Sequence, residues 1–286
     1  MARGLCGFIR VDNLFVKNRM TPKPLEGLEM KLKPRKAMFL ALLWILAGMT
    51  GQKNASGAGA QDSEQDRFRL LREAMVREQI AKPPDYRDPV KDQRVLDAMR
   101  SVPRHLFVPP SDLGRAYGDF PIPIGHGQTI SQPYVVALMT EMLRVNPEHE
   151  VLEIGTGSGY QAAVLSALVK DVYTVEIVKP LALQAEERLK RLSYTNVHVR
   201  WGDGYYGWEE HTPFDCIIVT CAATFVPPPL LKQLKPGGRM CIPVGAQYAV
   251  QYLTMVEKSA EGAVTMRKTL PVAFVPLTRG DGEPRQ

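Results

Sequence analysis

Cysteine is scarce in this chain, and the four cysteines fall in no metal-binding pattern. Cys6, Cys216, Cys221 and Cys241 form no C-x-x-C pair and have no His at zinc-ligand spacing, so no metal site is expected. Cys216, in FDCIIV, and Cys241, in RMCI, read instead as small apolar residues buried on strands. Long apolar runs are missing as well. The most apolar stretch, AMFLALLWILAGM at 37–49, is 13 uncharged residues, short of the roughly 20 that a membrane span needs. No internal repeat is present. Positive charge is lacking where a polyanion partner would require it. Of 36 Lys/Arg and 30 Asp/Glu, residues 1–60 hold 10 and 3, which leaves 26 and 27 over residues 61–286. The folded part is near neutral, so the basic balance gives no support to a nucleic-acid partner.

What is present is an ordinary globular composition, 45% apolar and 23% charged, which excludes a disordered, collagenous or disulfide-dense chain. With 286 residues there is room for one or two domains and a real core. Residues 1–60 read as a basic tail carrying a signal-like or anchor-like apolar segment and a linker, with 51–60 (GQKNASGAGA) as the linker. Lys31, Lys33, Arg35 and Lys36 precede the apolar run and Ala58-Gly59-Ala60 comes after it, the three parts of a secretory signal. Such a signal would begin near Met30, leaving 29 residues in front of it. Residues 61–286 read as the folded domain, with a helical and looped part to about 149 and a sheet-rich core from about 150.

Apolar spacing at Phe68, Leu71, Met75, Val76 and Ile80 predicts a helix over 64–81, ended by Pro83-Pro84. Asp88-Pro89 predicts an N-cap and first turn for a helix through Arg100. Residues 101–130, rich in Pro and Gly, read as irregular connection. From 150 on, apolar runs at 151–154, 172–177, 197–200, 216–220 and 240–244 alternate with amphipathic stretches at 159–169, 180–192 and 227–234. That rhythm predicts an α/β fold, a mostly parallel sheet with helices on both faces. Residues 250–257 and 264–274 read as an antiparallel strand pair closing the sheet.

The most informative segment is VLEIGTGSGYQ at 151–161, a buried strand running through three glycines into a helix. Glycines there permit a sharp turn and close approach of a ligand to the main chain, and the ensuing helix start presents free N–H groups. The dinucleotide fingerprint needs a glycine at 160, where this chain has Tyr160. Glycines at 155, 157 and 159 after an acid at Glu153 resemble instead the first motif of S-adenosylmethionine-dependent methyltransferases. Glu176, at the end of the next strand and 21 residues beyond Gly155, suits the ribose hydroxyls of a nucleoside. Asp203 and Gly204 after the third strand suit an adenine amino group and ring. All three signals converge on the C-terminal edge of the sheet. Before the sheet, Gln132-Pro133 opens a helix over 134–143, and Ser131 stands at or beside its N-cap, where it either caps the helix or helps bind an anion. Asp119 and His126 could line the same site or be structural.

Eight segments together resemble protein-L-isoaspartate O-methyltransferases of the bacterial type: MVREQI (75–80), VLDAMRSVPRHLFVP (95–109), IGHGQTISQPYVVALMTE (124–141), VLEIGTGSGYQA (151–162), VYTVEIV (172–178), GDGY (202–205), PFDCIIVT (213–220) and LKQLKPGGRMCIPVG (231–245). The stretch GQTISQP is the specific signature, and residues 1–60 fall outside the resemblance. The resemblance implies a Rossmann-like class I methyltransferase that esterifies the free α-carboxylate of isoaspartyl residues in damaged proteins, using S-adenosyl-L-methionine. It places the active-site serine at Ser131, with Asp119, Thr129 and Ile130 as substrate-side residues. Glu153, Gly155, Thr156, Gly157, Ser158 and Gly159 would hold the methionine part of the cofactor, Glu176 its ribose, and Asp203 with Gly204 its adenine. It also implies a cytoplasmic enzyme, and the methyl donor is made and used in the cytosol. The segment from Met30 to Ala60 argues for export or membrane anchoring instead. A monomer is the expectation, with no nucleic acid and no membrane engaged by the folded domain. The competing readings are an NAD-dependent oxidoreductase, a methyltransferase with a small-molecule acceptor, and a non-catalytic S-adenosylmethionine-binding relative.

Overall fold

The apolar stripe ending at Ile80 does form a helix. In the computed structural model, which describes residues 55–246 and 249–280, α1 (Ala55–Met75) buries Phe68 and Met75. It then widens into a π-helical turn, Val76–Ile80, in which Ala81 N donates to Val76 O at 2.8 Å. The linker expected over 51–60 is therefore helical from Ala55. The signal-like run lies outside the described residues.

Helix α2 (Gln93–Ser101) starts later than Asp88-Pro89 suggested. Its N-cap is Asp92, whose Oδ1 accepts from Arg94 N at 3.0 Å. The reason is tertiary. Val90 is buried and its N–H donates to Ile80 O (3.1 Å), while Lys91 N and Asp92 N both donate to Glu141 Oε1 at 2.6 Å. Residues 90–92 are thereby held against a later helix, and coiling begins only beyond them. The irregular stretch expected over 101–130 contains 3-10 turns at Arg104–Phe107 and Pro110–Arg115 and then a hairpin. Its strands are β1 (Ile122–Gly125) and β2 (Gln128–Ile130). The turn places His126 and Gly127 at φ 52° and 71°, the paired left-handed conformation that matches strand twist. Helix α3 (Pro133–Leu143) comes next with Pro at its first position, as the sequence predicts.

The parallel core is β3 (Glu150–Ile154), α4 (Tyr160–Ser166), β4 (Asp171–Glu176), α5 (Lys179–Arg191), β5 (Val197–Trp201), β6 (Phe214–Val219), α6 (Pro228–Gln233) and β7 (Leu234–Val244). Antiparallel β8 (Gln251–Lys258) and β9 (Val264–Val272) close the edge, as expected. The strand order is β5-β4-β3-β6-β7-β8-β9. Successive residues of each central strand enter different cores: Val151, Cys216 and Ile218 pack on one face, Leu152, Ile154, Ile217 and Val219 on the other. A strand buried on both faces must be apolar throughout, which is why these runs read so plainly. Cys216 and Cys241 are buried free thiols, as their settings indicated. Strand β7 begins six residues before the Met240 start expected for it, because Leu234 pairs with Phe214 ahead of a bulge. A Cβ at Gly238 would lie 2.8 Å from Asp215 O, so the glycine there permits the close approach.

Strand order reverses between β3 and β6, and in open α/β sheets ligands bind beyond the strand ends at such a switch point. The location of the α2 start carries a test of its own. Asp92→Ala is expected to cost about 1 kcal/mol of unfolding free energy, the usual value of an N-cap, whereas Asp88→Ala stays within about 0.5 kcal/mol. Urea titrations of both variants check it.

Candidate active site

The loop after β3 takes a path that side chains resist. Gly155, Gly157 and Gly159 have φ of 99°, 53° and 86°, in the left-handed region open to glycine. A Cβ at Gly155 would also lie 2.5 Å from Thr220 Oγ1, whose hydroxyl sits 2.7 Å from Gly155 O. The loop is thus locked to the end of β6. It is locked to β4 by Glu176, whose Oε2 accepts from Gly157 N (2.7 Å) and Oε1 from Val178 N (2.9 Å). Thr156 and Thr174 join hydroxyls at 2.6 Å beneath it. Each Glu176 oxygen keeps a free lone pair, and the residue lines an open cleft.

Glu153 lines the same cleft, fully buried, and neither of its carboxylate oxygens has a hydrogen-bond partner among the described residues. Burial pushes its carboxyl up to about 8, and the neighbouring Glu176 adds to the rise. No Lys or Arg lines the cleft. A cationic guest would favour ionisation of Glu153 beside Glu176, whereas a pyrophosphate would find no cation to pair with, so the donor set fits S-adenosylmethionine and disfavours a dinucleotide. Gly204 lines the cleft close to β3: a Cβ there would meet Ile154 Cγ2 at 2.5 Å. The glycine thus lets the turn after β5 pack directly on Ile154.

Asp203 does not line the cleft. Its Oδ1 accepts from Tyr205 N at 3.0 Å, capping a 3-10 turn, and its Oδ2 is 2.9 Å from Arg279 Nε. Thr156 and Ser158 do line it, together with Gly155 and Gly157. Gly159 serves packing instead: a Cβ there would lie 3.1 Å from Leu189 Cδ1, on α5.

The opposite wall comes from β2 and the residue beyond it. Gln128, Thr129, Ile130 and Ser131 all line the cleft. The N-cap of α3 is Gln132 and not Ser131, and Ser131 Oγ makes no hydrogen bond among the described residues. The capping reading is thereby set aside, and the hydroxyl stays available beside a helix N-terminus. Asp119 stands behind this wall. Its Oδ1 and carbonyl accept from Gln132 Nε2 at 2.9 and 3.0 Å, and its Oδ2 pairs with Arg87 at 2.6 Å. Arg87 is in turn held by Asp85 and lies 4.5 Å over the Tyr134 ring. Asp119 therefore braces the residue after Ser131. His126 sits exposed on the hairpin turn, apart from the site.

Sequence reasoning missed one wall. Val275, Pro276, Leu277 and Thr278 also line the cleft. Their signal was weak: an apolar FVPL run past the last strand, with a proline unable to extend the ladder. Thr220, Cys221 and Gln161 are further lining residues; Thr220 and Gln161 fall inside the motif segments, which assign them no role, and Cys221 stands out in the sequence only as a cysteine outside any metal-binding pattern.

A family model described as protein-L-isoaspartate(D-aspartate) O-methyltransferase matches residues 77–282. The chain is 63% identical over 190 residues to protein-L-isoaspartate O-methyltransferase 2 of Polaromonas sp., covering 66% of this chain and 90% of the relative. A solved protein-L-isoaspartate O-methyltransferase superposes with TM-score 0.61 at 29% identity, over 74% of this chain and 65% of that one. A candidate enzyme of the same name from Plasmodium falciparum, solved with S-adenosyl-L-homocysteine, gives TM-score 0.60 at 25% identity, over 74% and 99%. With the matched region containing the glycine loop, Glu176 and Ser131 alike, the chain belongs to the protein-L-isoaspartate(D-aspartate) O-methyltransferase family.

Proposed function

We propose that this chain transfers a methyl group from S-adenosyl-L-methionine to the free α-carboxylate of isoaspartyl residues in damaged proteins. The ester then closes without enzyme to a succinimide, whose hydrolysis returns part of the chain to aspartate. The observation that carries this reading is a single cleft walled on one side by an acidic glycine-loop site and on the other by Ser131.

When bound, the cofactor supplies a methyl group made electrophilic by a sulfonium. Glu153, protonated near neutral pH in the cofactor-free protein, would ionise beside its cationic part, Glu176 offers the lone pairs for its ribose, and Gly204 lines the side that would take its adenine. The acceptor carboxylate, with a pKa near 3.5, is ionised at pH 7 and needs no strong base. A carboxylate O–C bond forms as the C–S bond breaks, and no proton need move. The residues are then asked chiefly to align three atoms, which can supply about 7–11 kcal/mol. Ser131 donates its unpartnered hydroxyl to the carboxylate, and the α3 N-terminus adds its dipole. Thr129 and Ile130 flank the acceptor, and Asp119 acts indirectly by fixing Gln132. Asp203 contributes to adenine binding by holding the turn that carries Gly204.

Among the described residues no helix is long and apolar enough to cross a membrane. We place the enzyme in the cytoplasm, on the ground that its methyl donor is made there, and take it as a monomer because residues 61–286 are near neutral and carry no exposed heptad run that calls for a partner. A mature N-terminus at Gln61 would instead mean processing at Ala60 and export.

Labelled methyl groups are expected on an isoaspartyl peptide, base-labile, and not on the matched aspartyl peptide; label on neither, with cofactor bound, overturns the acceptor assignment. Ser131→Ala is expected to lower turnover of the isoaspartyl peptide by about 10- to 100-fold, the value of one hydrogen bond to a charge, while cofactor affinity stays within about twofold. Kinetics with each substrate varied separates the two. Glu153 also has a pH signature. Its folded pKa lies above its unfolded value, so the folded state holds the extra proton between about pH 4.5 and 8, and stability from this group is lost as pH rises through that window. Melts of cofactor-free protein should show Glu153→Gln gaining on the parent from pH 5 to 8.

A further inference from the structure

The last described residues return across the strand ends. Ala222 N donates to Val275 O and Leu277 N to Ala222 O, both at 2.8 Å, a parallel bridge beyond β6. The segment then forms part of the cleft wall through Thr278. Arg279 reaches the turn beyond β5: its Nε is 2.9 Å from Asp203 Oδ2, its Nη2 donates to Tyr206 Oη at 2.9 Å, and its guanidinium carbon lies 3.7 Å from the Tyr205 ring centre. Gly280 lies against Ile177, beyond β4, where a Cβ would be 3.4 Å from Ile177 Cδ1. The strap thus touches the loops after β6, β5 and β4, which surround the glycine loop after β3.

The two ends of the strap are fixed by different means. Its start is held by backbone bonds at Ala222 and by Gln251, which bonds both Phe274 N and Phe274 O (2.6 and 3.0 Å). Beyond Leu277, the hydrogen bonds of the described residues are those of Arg279 alone. An exposed ion pair is worth little on its own. This one has a nearly buried carboxylate, Asp203 at 8% exposure, and a guanidinium that also stacks on tyrosine, which strengthens it. Asp203 meanwhile caps the turn carrying Gly204. The same arginine therefore closes the strap and steadies the adenine side of the cleft.

We propose that Arg279 is a positioning residue for the cofactor, a clamp that holds residues 275–278 over the cleft and must release before the spent cofactor leaves. This rests on the reading that the cleft holds S-adenosylmethionine. The test is the dissociation rate and affinity of S-adenosyl-L-homocysteine on the full chain. Arg279→Ala is expected to speed release and weaken binding about tenfold and to raise KM for the methyl donor by more than it lowers kcat. The melting temperature without cofactor should fall by only about 2–4 °C, the value of one such pair in a domain of this size, so the chain stays folded in the assay. Arg279→Lys, which keeps the charge and loses the planar stack, restores part of the affinity. Release within twofold of the parent in Arg279→Ala overturns the clamp. Failure of the parent to bind, or intact binding in Glu176→Gln, overturns the placement of the cofactor and the clamp with it.

Discussion

One carboxylate organises the site before any ligand arrives. Glu176 ends β4, and its two oxygens already accept from Gly157 N and Val178 N. The first contact fixes the middle of the glycine loop, whose ends are held by Gly155 N donating to Val175 O (2.9 Å) and Gly159 N to Thr156 O (2.8 Å). The second fixes the start of α5. A residue read from sequence as a ribose ligand is thus equally a strut between two βα loops. Pre-set lone pairs are worth more than mobile ones, because the cost of ordering them is met in folding and not in binding.

The same cleft carries a buried carboxyl group that can ionise only at a cost. Glu153 is sealed beneath the loop without a partner, and Glu176 stands close enough to raise its pKa further. Burying such a group is costly unless something positive joins it. A cationic cofactor relieves that cost, and a neutral or anionic guest does not. Selectivity against dinucleotides then arises from electrostatics as well as from Tyr160, which fills the third glycine position and packs fully buried against Phe107.

What the sequence disclosed and what it concealed divide along a physical line. Strands β3, β4 and β6 are buried on both faces, so their runs are apolar regardless of neighbours, and the glycine loop is dictated by backbone sterics; both are local constraints and both were legible. The N-cap at Asp92 was not, because Glu141, 49 residues away along the chain, takes its N–H. The β1–β2 hairpin hid behind prolines and glycines, although Gly125-His126-Gly127 between alternating apolar residues is a hairpin signal. Ser131 was legible as a position and not as a role: the N-cap of α3 falls on Gln132, which Asp119 binds from 13 residues away along the chain. Likewise Asp203 was marked as an adenine ligand, and its engagement with Arg279, 76 residues on, has no local signal at all.

These long-range ties share a consequence for catalysis. Methyl transfer to a carboxylate asks for little acid–base chemistry and much alignment, and alignment fails if the cleft breathes or water competes for the acceptor. The Ser131 wall is stiffened from behind through Arg87, Asp119 and Gln132, and the glycine-loop wall through Thr220 and Glu176. Neither of those walls can move without breaking partly buried hydrogen bonds and, on the Ser131 side, an ion pair. The strap is different, because beyond Leu277 it is tied through a half-exposed arginine. Of the three walls it is the one that can open at small cost, and so the fold confines motion to the side where a nucleoside must pass while keeping the two reacting sides rigid.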